Sequence, residues 1–230
     1  MKSLLAPEEI KHFKRDGAVL IKGKFEKQWI DKLRRGIDED IQNPSPRFER
    51  HTKDINAPGY FEDFWTWDLY ADFKDFVFNS PTAKIASELL EAKKINLVMD
   101  NWFFREAESK SGAPFHHDIS YFDFEGSMCV LWLPLEPVSK EEGIAWIKGS
   151  HLWDKLFIRT RFNDGHLVDG QAGIVNGKTY DITPDILNNK DDYEFLQWDL
   201  ELGDCVFFDM RTLHGSLNQV TPKQDIHRYT

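Results

Sequence analysis

The pattern of hydrophobic and polar positions changes near residue 95. Before it, amphipathic stretches predict helices over residues 7–16, 27–41 and 80–91. The first of these helices has Pro7 at its start and Gly17 after its end. The apolar run 18–21 predicts a strand between the first two helices. The polar stretch 42–60, which contains several prolines, predicts a loop, and the aromatic-rich stretch 61–78 is typical of core packing.

After residue 95, short runs of β-branched and aromatic residues alternate with Gly, Pro, Asn and Asp. They predict strands over 95–104, 127–135, 143–147, 195–200 and 204–209. A polar insert at 159–193 is too long for a simple hairpin and is typical of a functional loop. This order predicts a sandwich or barrel with helices on one side. The sequence contains no stretch typical of a linker between domains. Residues 1–230 are therefore predicted to form one domain, helical over about 1–94 and β-rich over about 95–230.

Composition narrows the class of protein. The 29 Lys and Arg residues against 39 Asp and Glu give a net charge of −10, which argues against nucleic acid as a partner. The 18 Phe and 8 Trp favour a fold that encloses a cavity. No apolar run approaches the roughly 18 residues of a membrane span, and the start of the chain lacks a signal-peptide pattern, so we expect a cytoplasmic protein. Cys129 and Cys205 are expected to be buried, reduced thiols.

A possible metal site lies in the segment 113–122. In a strand, residues two apart share a face, so His116 and Asp118 can converge while His117 points away. A His-x-Asp pair alone is weak, but His214 follows the predicted strand 204–209 and is the best candidate for a third ligand. Two His and one carboxylate leave coordination positions open, as in non-haem Fe(II) oxygenases.

A basic residue, Arg228, follows His214 and is predicted to lie on a neighbouring strand facing the same pocket. Its guanidinium suits one end of a dicarboxylate cosubstrate, which it can bind bidentately. The alternative is an ordinary surface arginine, and the nearby metal motif favours the first interpretation.

These residues and their order resemble the phytanoyl-CoA dioxygenase family of Fe(II)/2-oxoglutarate oxygenases. The resemblance runs from Phe13 to Arg228. It rests on motifs that occur in the family's order and spacing: Pro114 to Asp118 with Tyr121, Leu131 to Leu135, Gly143, Lys148 to His151, Leu202 to Asp204, His214 to Ser216 with Asn218, and Arg228.

The resemblance implies a mostly β fold with flanking α-helices, built on a double-stranded β-helix or jelly-roll core. It implies that His116, Asp118 and His214 hold Fe(II) and that Arg228 binds the C5 carboxylate of 2-oxoglutarate. Ser216 would assist at that carboxylate, and Trp132 and Asn101 would be lesser cosubstrate contacts. The implied reaction uses O₂ to oxidise a C–H bond of a small-molecule substrate and releases succinate and CO₂. Because Asp118 is present, hydroxylation, desaturation or cyclisation is favoured over halogenation.

Two departures from the family pattern and two alternatives stay open. His117 stands where Gln is common, so it is a competing candidate for the metal ligand. The chain ends two residues after Arg228, where family members usually complete the last strand; either the sequence is truncated or this strand is a short edge.

The first alternative function is that of a cupin-like metal-binding protein without oxygenase activity, and the second is that of an interaction domain with a degenerate site. We expect Trp65 or Trp67 to line the mouth of the substrate pocket and the 159–193 insert to help shape that pocket. We expect the protein to be a monomer or a homodimer.

Overall fold

Four helices and twelve strands make up the regular structure of the described residues, which are 3–110, 112–122, 126–159, 173–175, 177–218 and 220–230 of a computed structural model. The helices are α1 (Pro7–Asp16), α2 (Lys27–Gln42), α3 (Ala71–Asn79) and α4 (Thr82–Leu89). The strands are β1 (Ala18–Ile21), β2 (Glu49–Arg50), β3 (Tyr60–Phe64), β4 (Asn101–Arg105), β5 (Cys129–Pro134), β6 (Ala145–Ile147), β7 (Gly173–Val175), β8 (Lys178–Tyr180), β9 (Phe195–Leu196), β10 (Cys205–Asp209), β11 (His214–Gly215) and β12 (Ile226–Tyr229).

The strands form two main antiparallel sheets. The large sheet has seven strands in the order β1-β10-β5-β12-β4-β3-β2. The small sheet has three strands in the order β11-β6-β9, and β7 and β8 form a separate hairpin. Several neighbours in the large sheet are distant in sequence, since β1 pairs with β10 and β12 pairs with both β4 and β5.

The outer face of the large sheet is covered by the helices. Alternate residues of its strands, such as Leu131, Phe207 and Tyr229, form one buried cluster with helical residues such as Leu33 and Phe73. Period-two alternation in the strands and helical spacing in α2 and α3 place these side chains on facing surfaces. This packing fixes the helices on one side of the sheet, as the sequence predicted.

The inner face of the large sheet packs against the small sheet through aromatic side chains. Trp146 of β6 contacts Trp132 of β5 and Phe208 of β10, with ring centroids 5.7 and 5.8 Å apart. Two antiparallel sheets packed face to face, with helices on the outside, form the expected jelly-roll core. The predicted fold class is therefore confirmed.

Several predicted boundaries differ from the observed ones. The predicted loop 42–60 contains β2 and the first residue of β3, and the aromatic stretch 61–78 contains most of β3 and α3. The predicted strand 95–104 shrinks to β4, because only Asn101–Arg105 finds partners on both sides. The β12 strand lies between β5 and β4, so it is an interior strand and not the short edge that was one expectation.

Three further observations bear on the sequence predictions. Within 159–193, β7 and β8 pair as a hairpin, while residues 160–172 and 176 lie outside the described residues. Cys129 and Cys205 are both free, as expected, with Cys205 buried and Cys129 half-buried. Among the described residues, no helix is both long enough and apolar enough to cross a membrane.

Candidate metal centre

Two predicted metal ligands, His116 and His214, lie opposite each other. They form an antiparallel β-bridge in which each backbone N–H donates to the other residue's carbonyl, at 3.0 and 2.9 Å. Directly paired residues project to the same face of a sheet, and the two imidazole centroids are 4.3 Å apart. Gly215 permits this approach, because a Cβ there would lie 2.8 Å from the Cα of Phe115.

Asp118 completes the predicted set. Its Oδ1 lies 3.3 Å from His116 Nε2 and 3.6 Å from His214 Nε2. The convergence is as predicted, but strand alternation is only part of the cause, because Asp118 begins a 3-10 helix, Asp118–Tyr121, directly after the bridge. Three ligand atoms on one side of an ion at about 2.1 Å, near 90° to one another, are roughly 3 Å apart. The observed spacing therefore fits a divalent metal.

The second ring nitrogen of each histidine is held by a backbone carbonyl. His116 Nδ1 lies 2.8 Å from the Pro114 carbonyl oxygen, and His214 Nδ1 lies 2.9 Å from that of Thr212. A carbonyl can only accept, so each Nδ1 carries a proton, and Nε2 is the ring nitrogen that faces Asp118. Both imidazoles are thus in the tautomer that a metal requires.

The protonation states of the centre also suit a cation. Burial lowers the pKa of His214 to about 4, although the charge of Asp118 opposes the shift. Burial by itself raises the pKa of Asp118, but the two histidines outweigh it and bring that pKa below its ordinary value. At neutral pH the centre therefore offers a neutral imidazole from His214 and an ionised carboxylate.

The competing candidate, His117, does not join the cluster in this structure. Its Nε2 accepts a hydrogen bond from the Phe157 backbone N–H at 2.9 Å and lies 2.5 Å from the Ser120 hydroxyl. Burial lowers the pKa of His117 to about 4. The expectation that it points away from His116 and Asp118 agrees with these contacts.

Arg228 lies on β12 and is buried, with 8% of its surface exposed. Its guanidinium lies 5.7 Å from the ring centroids of both Trp132 and Phe103. Its buried Nε has no hydrogen-bond partner, and no ion pair within the described residues includes it. A buried cation without a carboxylate is costly, so this site fits an anionic ligand.

One cavity of about 1160 Å³ joins the metal ligands to Arg228. Its wall also includes Trp132 and Asn101, whose buried Oδ1 has no partner within the described part of the chain. Trp65 lies at the lining with 48% of its surface exposed, as expected for the mouth, whereas Trp67 does not line it. The volume is large enough for a cosubstrate and a small substrate together.

Ser216 lies elsewhere. Its hydroxyl accepts a hydrogen bond from the Ala113 backbone N–H at 3.0 Å, and its own N–H donates to the Ala113 carbonyl at 2.8 Å. Ser216 is not among the residues that line the cavity. In this structure Ser216 is hydrogen-bonded to the backbone of the segment that leads to His116. Its role at a cosubstrate carboxylate stays a prediction.

A second cluster of metal-ligating side chains lines the same cavity: Glu49, His51 and Glu62. His51 falls within the stretch 42–60 that the sequence predicted as a loop, but it is buried and its Nε2 lies 2.7 Å from Glu62 Oε2. Glu49 lies on β2, Glu62 lies on β3, and His51 directly follows β2, where its backbone N–H donates to the Tyr60 carbonyl at 2.8 Å. The pairing of β2 with β3 therefore brings the three side chains together.

Sequence reasoning missed the groups that support the centre. The carbonyls of Pro114 and Thr212 orient the histidines, and backbone groups carry no residue-type signal. Phe103, the cross-strand partner of Arg228, was missed because the pairing of β4 with β12 joins distant parts of the chain. Period-two alternation along 101–105 was the one signal that could have indicated its inward position.

A jelly-roll core whose two sheets enclose a His–Asp–His metal set and a buried arginine defines the class of non-haem metal proteins with open coordination positions. The family model described as phytanoyl-CoA dioxygenase (PhyH) matches residues 13–226 of the chain. The chain belongs to this family. No curated protein sequence matched it.

Solved structures share the fold at low sequence identity. The carbocyclase SnoK, described as non-heme and alpha ketoglutarate dependent, from nogalamycin biosynthesis, aligns with a TM-score of 0.70 at 15% identity, over 98% of this chain and 83% of its own. The epimerase SnoN, solved with Fe3+, alpha ketoglutarate and nogalamycin RO, aligns with a TM-score of 0.66 at 17% identity, over 97% and 82%. EctD from S. alaskensis aligns with a TM-score of 0.71 at 14% identity, over 99% and 76%.

Proposed function

We propose that this chain is an Fe(II)- and 2-oxoglutarate-dependent oxygenase that oxidises a C–H bond of a small-molecule substrate. The observation that carries the proposal is one cavity lined both by the His116–Asp118–His214 set and by a buried Arg228 that forms no ion pair with a carboxylate of the described residues. A cupin-like metal protein without oxygenase activity has no use for a carboxylate anchor at that position. Membership of the PhyH family supports the same class of reaction.

One group of residues would hold the iron, and another would bind and orient 2-oxoglutarate. His116, Asp118 and His214 would hold the iron on one side, which leaves the opposite side open to the cavity. Arg228 would bind the C5 carboxylate of 2-oxoglutarate, with Trp132 packed against its guanidinium. When bound, iron supplies the means to couple oxidation of the substrate by O₂ to the conversion of 2-oxoglutarate into succinate and CO₂.

The cavity wall orients the cosubstrate and limits water. The rings of Trp132 and Phe103 lie beside the Arg228 guanidinium and would help to hold its planar fork in place for a carboxylate. Asn101, with its unpaired Oδ1, would contact the cosubstrate or a water bound to it. Exclusion of water strengthens the attraction between Arg228 and a carboxylate.

Hydroxylation is the proposed outcome for the substrate, with desaturation or cyclisation as related outcomes. The carboxylate of Asp118 occupies the position that a halogenating enzyme would need for chloride, which disfavours halogenation. The net charge of −10 and the glutamates of the cavity wall favour a cationic or zwitterionic substrate over an acyl-CoA, whose phosphates need a basic rim. The oligomeric state, monomer or homodimer, stays a prediction.

The test is succinate release across a panel of small molecules, with Fe(II), 2-oxoglutarate and O₂ supplied. Substrate-dependent succinate together with a product heavier by one oxygen atom supports hydroxylation. A product lighter by two hydrogens indicates desaturation or ring closure, and an unchanged mass with inverted configuration indicates epimerisation. Iron binding without any binding of 2-oxoglutarate would contradict the oxygenase proposal and favour the cupin-like alternative.

A further inference from the structure

Thr212 lies between the N-terminal helix and the metal ligand His214. Its side chain is completely buried, and its hydroxyl donates to the Gly17 carbonyl at 2.9 Å. Its own carbonyl accepts from His214 Nδ1 at 2.9 Å. One residue therefore binds the end of α1 with its side chain and the imidazole with its backbone.

The turn that contains Thr212 is fixed at both ends. The Thr212 N–H donates to the Asp209 carbonyl at 2.8 Å, and the Asp209 N–H donates to the Gly17 carbonyl at 2.8 Å. Gly17 has a positive φ of 86°, and a Cβ there would lie 2.6 Å from the Thr212 hydroxyl oxygen. A glycine at this position thus gives Thr212 both the space and the acceptor that its hydroxyl needs.

The segment Lys148–His151, one of the motifs shared with the family, supports the same turn. The Ser150 hydroxyl accepts from the Leu213 N–H at 2.9 Å and donates to the Ile147 carbonyl at 2.8 Å. The Gly149 N–H donates to the Asp16 carbonyl at 2.8 Å. The peptide unit between Thr212 and Leu213, whose carbonyl accepts from the His214 ring, is therefore held by the Ser150 hydroxyl at its N–H, and the Thr212 side chain is held at Gly17.

We propose that Thr212 is a positioning residue for the metal centre: its bond to Gly17 fixes the carbonyl that sets the tautomer and the direction of the His214 ring. The inference rests on the proposed metal-binding function of His214. Groups that hydrogen-bond a ligating imidazole typically change metal affinity by 10-fold to 100-fold when altered. If Thr212 only fastened α1 to the core, its loss would lower stability without changing the affinity of the folded protein for metal.

The experiment is titration of the full chain with Co(II) without oxygen, following the visible absorption bands of the bound ion. The variants are Thr212→Val, which keeps the shape and removes the hydroxyl, and Thr212→Ser, which restores it. Thr66→Val is the matched control, because Thr66 is also fully buried and donates to Asp100 Oδ2 at 2.9 Å, away from the metal ligands. If Thr212→Val does not fold, Thr212→Ala replaces it.

We expect Thr212→Val to raise the Kd for Co(II) about 10-fold with altered visible bands, and Thr212→Ser to remain close to the wild type. Thr66→Val should lose stability with an unchanged Kd. An unchanged Kd and spectrum for folded Thr212→Val would overturn the inference and leave the proposed function intact. An equal loss of affinity in Thr66→Val would also overturn it. Failure of the wild type to bind Co(II) would overturn both.

Discussion

His116 and His214 are direct partners across an antiparallel bridge, with their ring centroids 4.3 Å apart and the carboxylate of Asp118 beside both. They are 98 residues apart in sequence, so the centre exists only when the segment after β4 and the turn after β10 are paired. Metal binding and correct pairing of this bridge should therefore stabilise each other.

Replacement of His214 by alanine should abolish stoichiometric Fe(II) binding, because it removes one of three ligands and the neutral imidazole that faces Asp118. The measurement is iron content after anaerobic loading and desalting. His12→Ala is the control, since His12 lies on the exposed side of α1. Iron content equal to that of the wild type would remove His214 from the centre.

Replacement of His117 by alanine should leave Fe(II) bound at the wild-type ratio. The variant should instead lose stability, on the order of 2 kcal/mol, because the buried Phe157 N–H loses its acceptor, whereas the Ser120 hydroxyl keeps the Phe157 carbonyl as its partner. Iron content and urea unfolding of the same sample separate the two effects. Loss of iron with little change in stability would show that the neighbouring histidine was chosen wrongly.

The metal-free protein should lose stability as the pH falls below 6.5. Burial lowers the pKa of His117 to about 4 from its ordinary value of 6.5, with the Asp118 charge opposing and the His116 charge reinforcing the shift. Between these values the unfolded chain takes up a proton that the folded protein does not. Stability is therefore fully present above pH 6.5 and is lost progressively as the pH falls toward 4, by up to roughly 3 kcal/mol for this residue.

Urea unfolding at pH 7 and pH 5 with a chelator present measures this dependence. The His117→Gln variant should show a weaker fall, because glutamine can still bind the Phe157 N–H but does not titrate. Equal falls in the wild type and the variant would show that His117 contributes nothing to the pH dependence.

Replacement of Arg228 by glutamine should weaken 2-oxoglutarate binding by about 30-fold or more, which corresponds to a loss of roughly 2 kcal/mol for a buried charge pair. Arg228→Lys should recover part of the loss, since it restores the charge without the planar fork. The KM for 2-oxoglutarate and the Kd of the anaerobic complex are the measurements. An unaltered KM in Arg228→Gln, with iron still bound, would exclude the anchoring role.

The local parts of the fold could be predicted from sequence because local signals specify them. Pro7 and Gly17 bound α1, and the continuous apolar run within 204–209 corresponds to β10. The strands β2 and β3 could not be predicted, because Tyr60–Phe64 is a strand only through pairing with β4, and Glu49–Arg50 only through pairing with β3. Their sequence reads as a polar loop and an aromatic cluster.

The same distinction holds at the site. Residue type and spacing indicate His116, Asp118 and His214, since few side chains bind metals and the His-x-Asp pair is joined by a second histidine that follows a predicted strand. What the sequence cannot provide is the hydrogen-bond support, because it depends on backbone carbonyls such as that of Thr212 and on contacts across the chain such as Thr212 with Gly17. The placement of Ser216 on Ala113 depends in the same way on pairing that a motif does not encode.

The most direct test of the central claim is an anaerobic titration of the Fe(II)-loaded protein with 2-oxoglutarate, followed by visible absorption. We predict a metal-to-ligand charge-transfer band that saturates at one 2-oxoglutarate per chain and is absent in His214→Ala. In Arg228→Gln, saturation of the band should require a much higher 2-oxoglutarate concentration. A protein that binds iron but develops no band at any 2-oxoglutarate concentration would contradict the account.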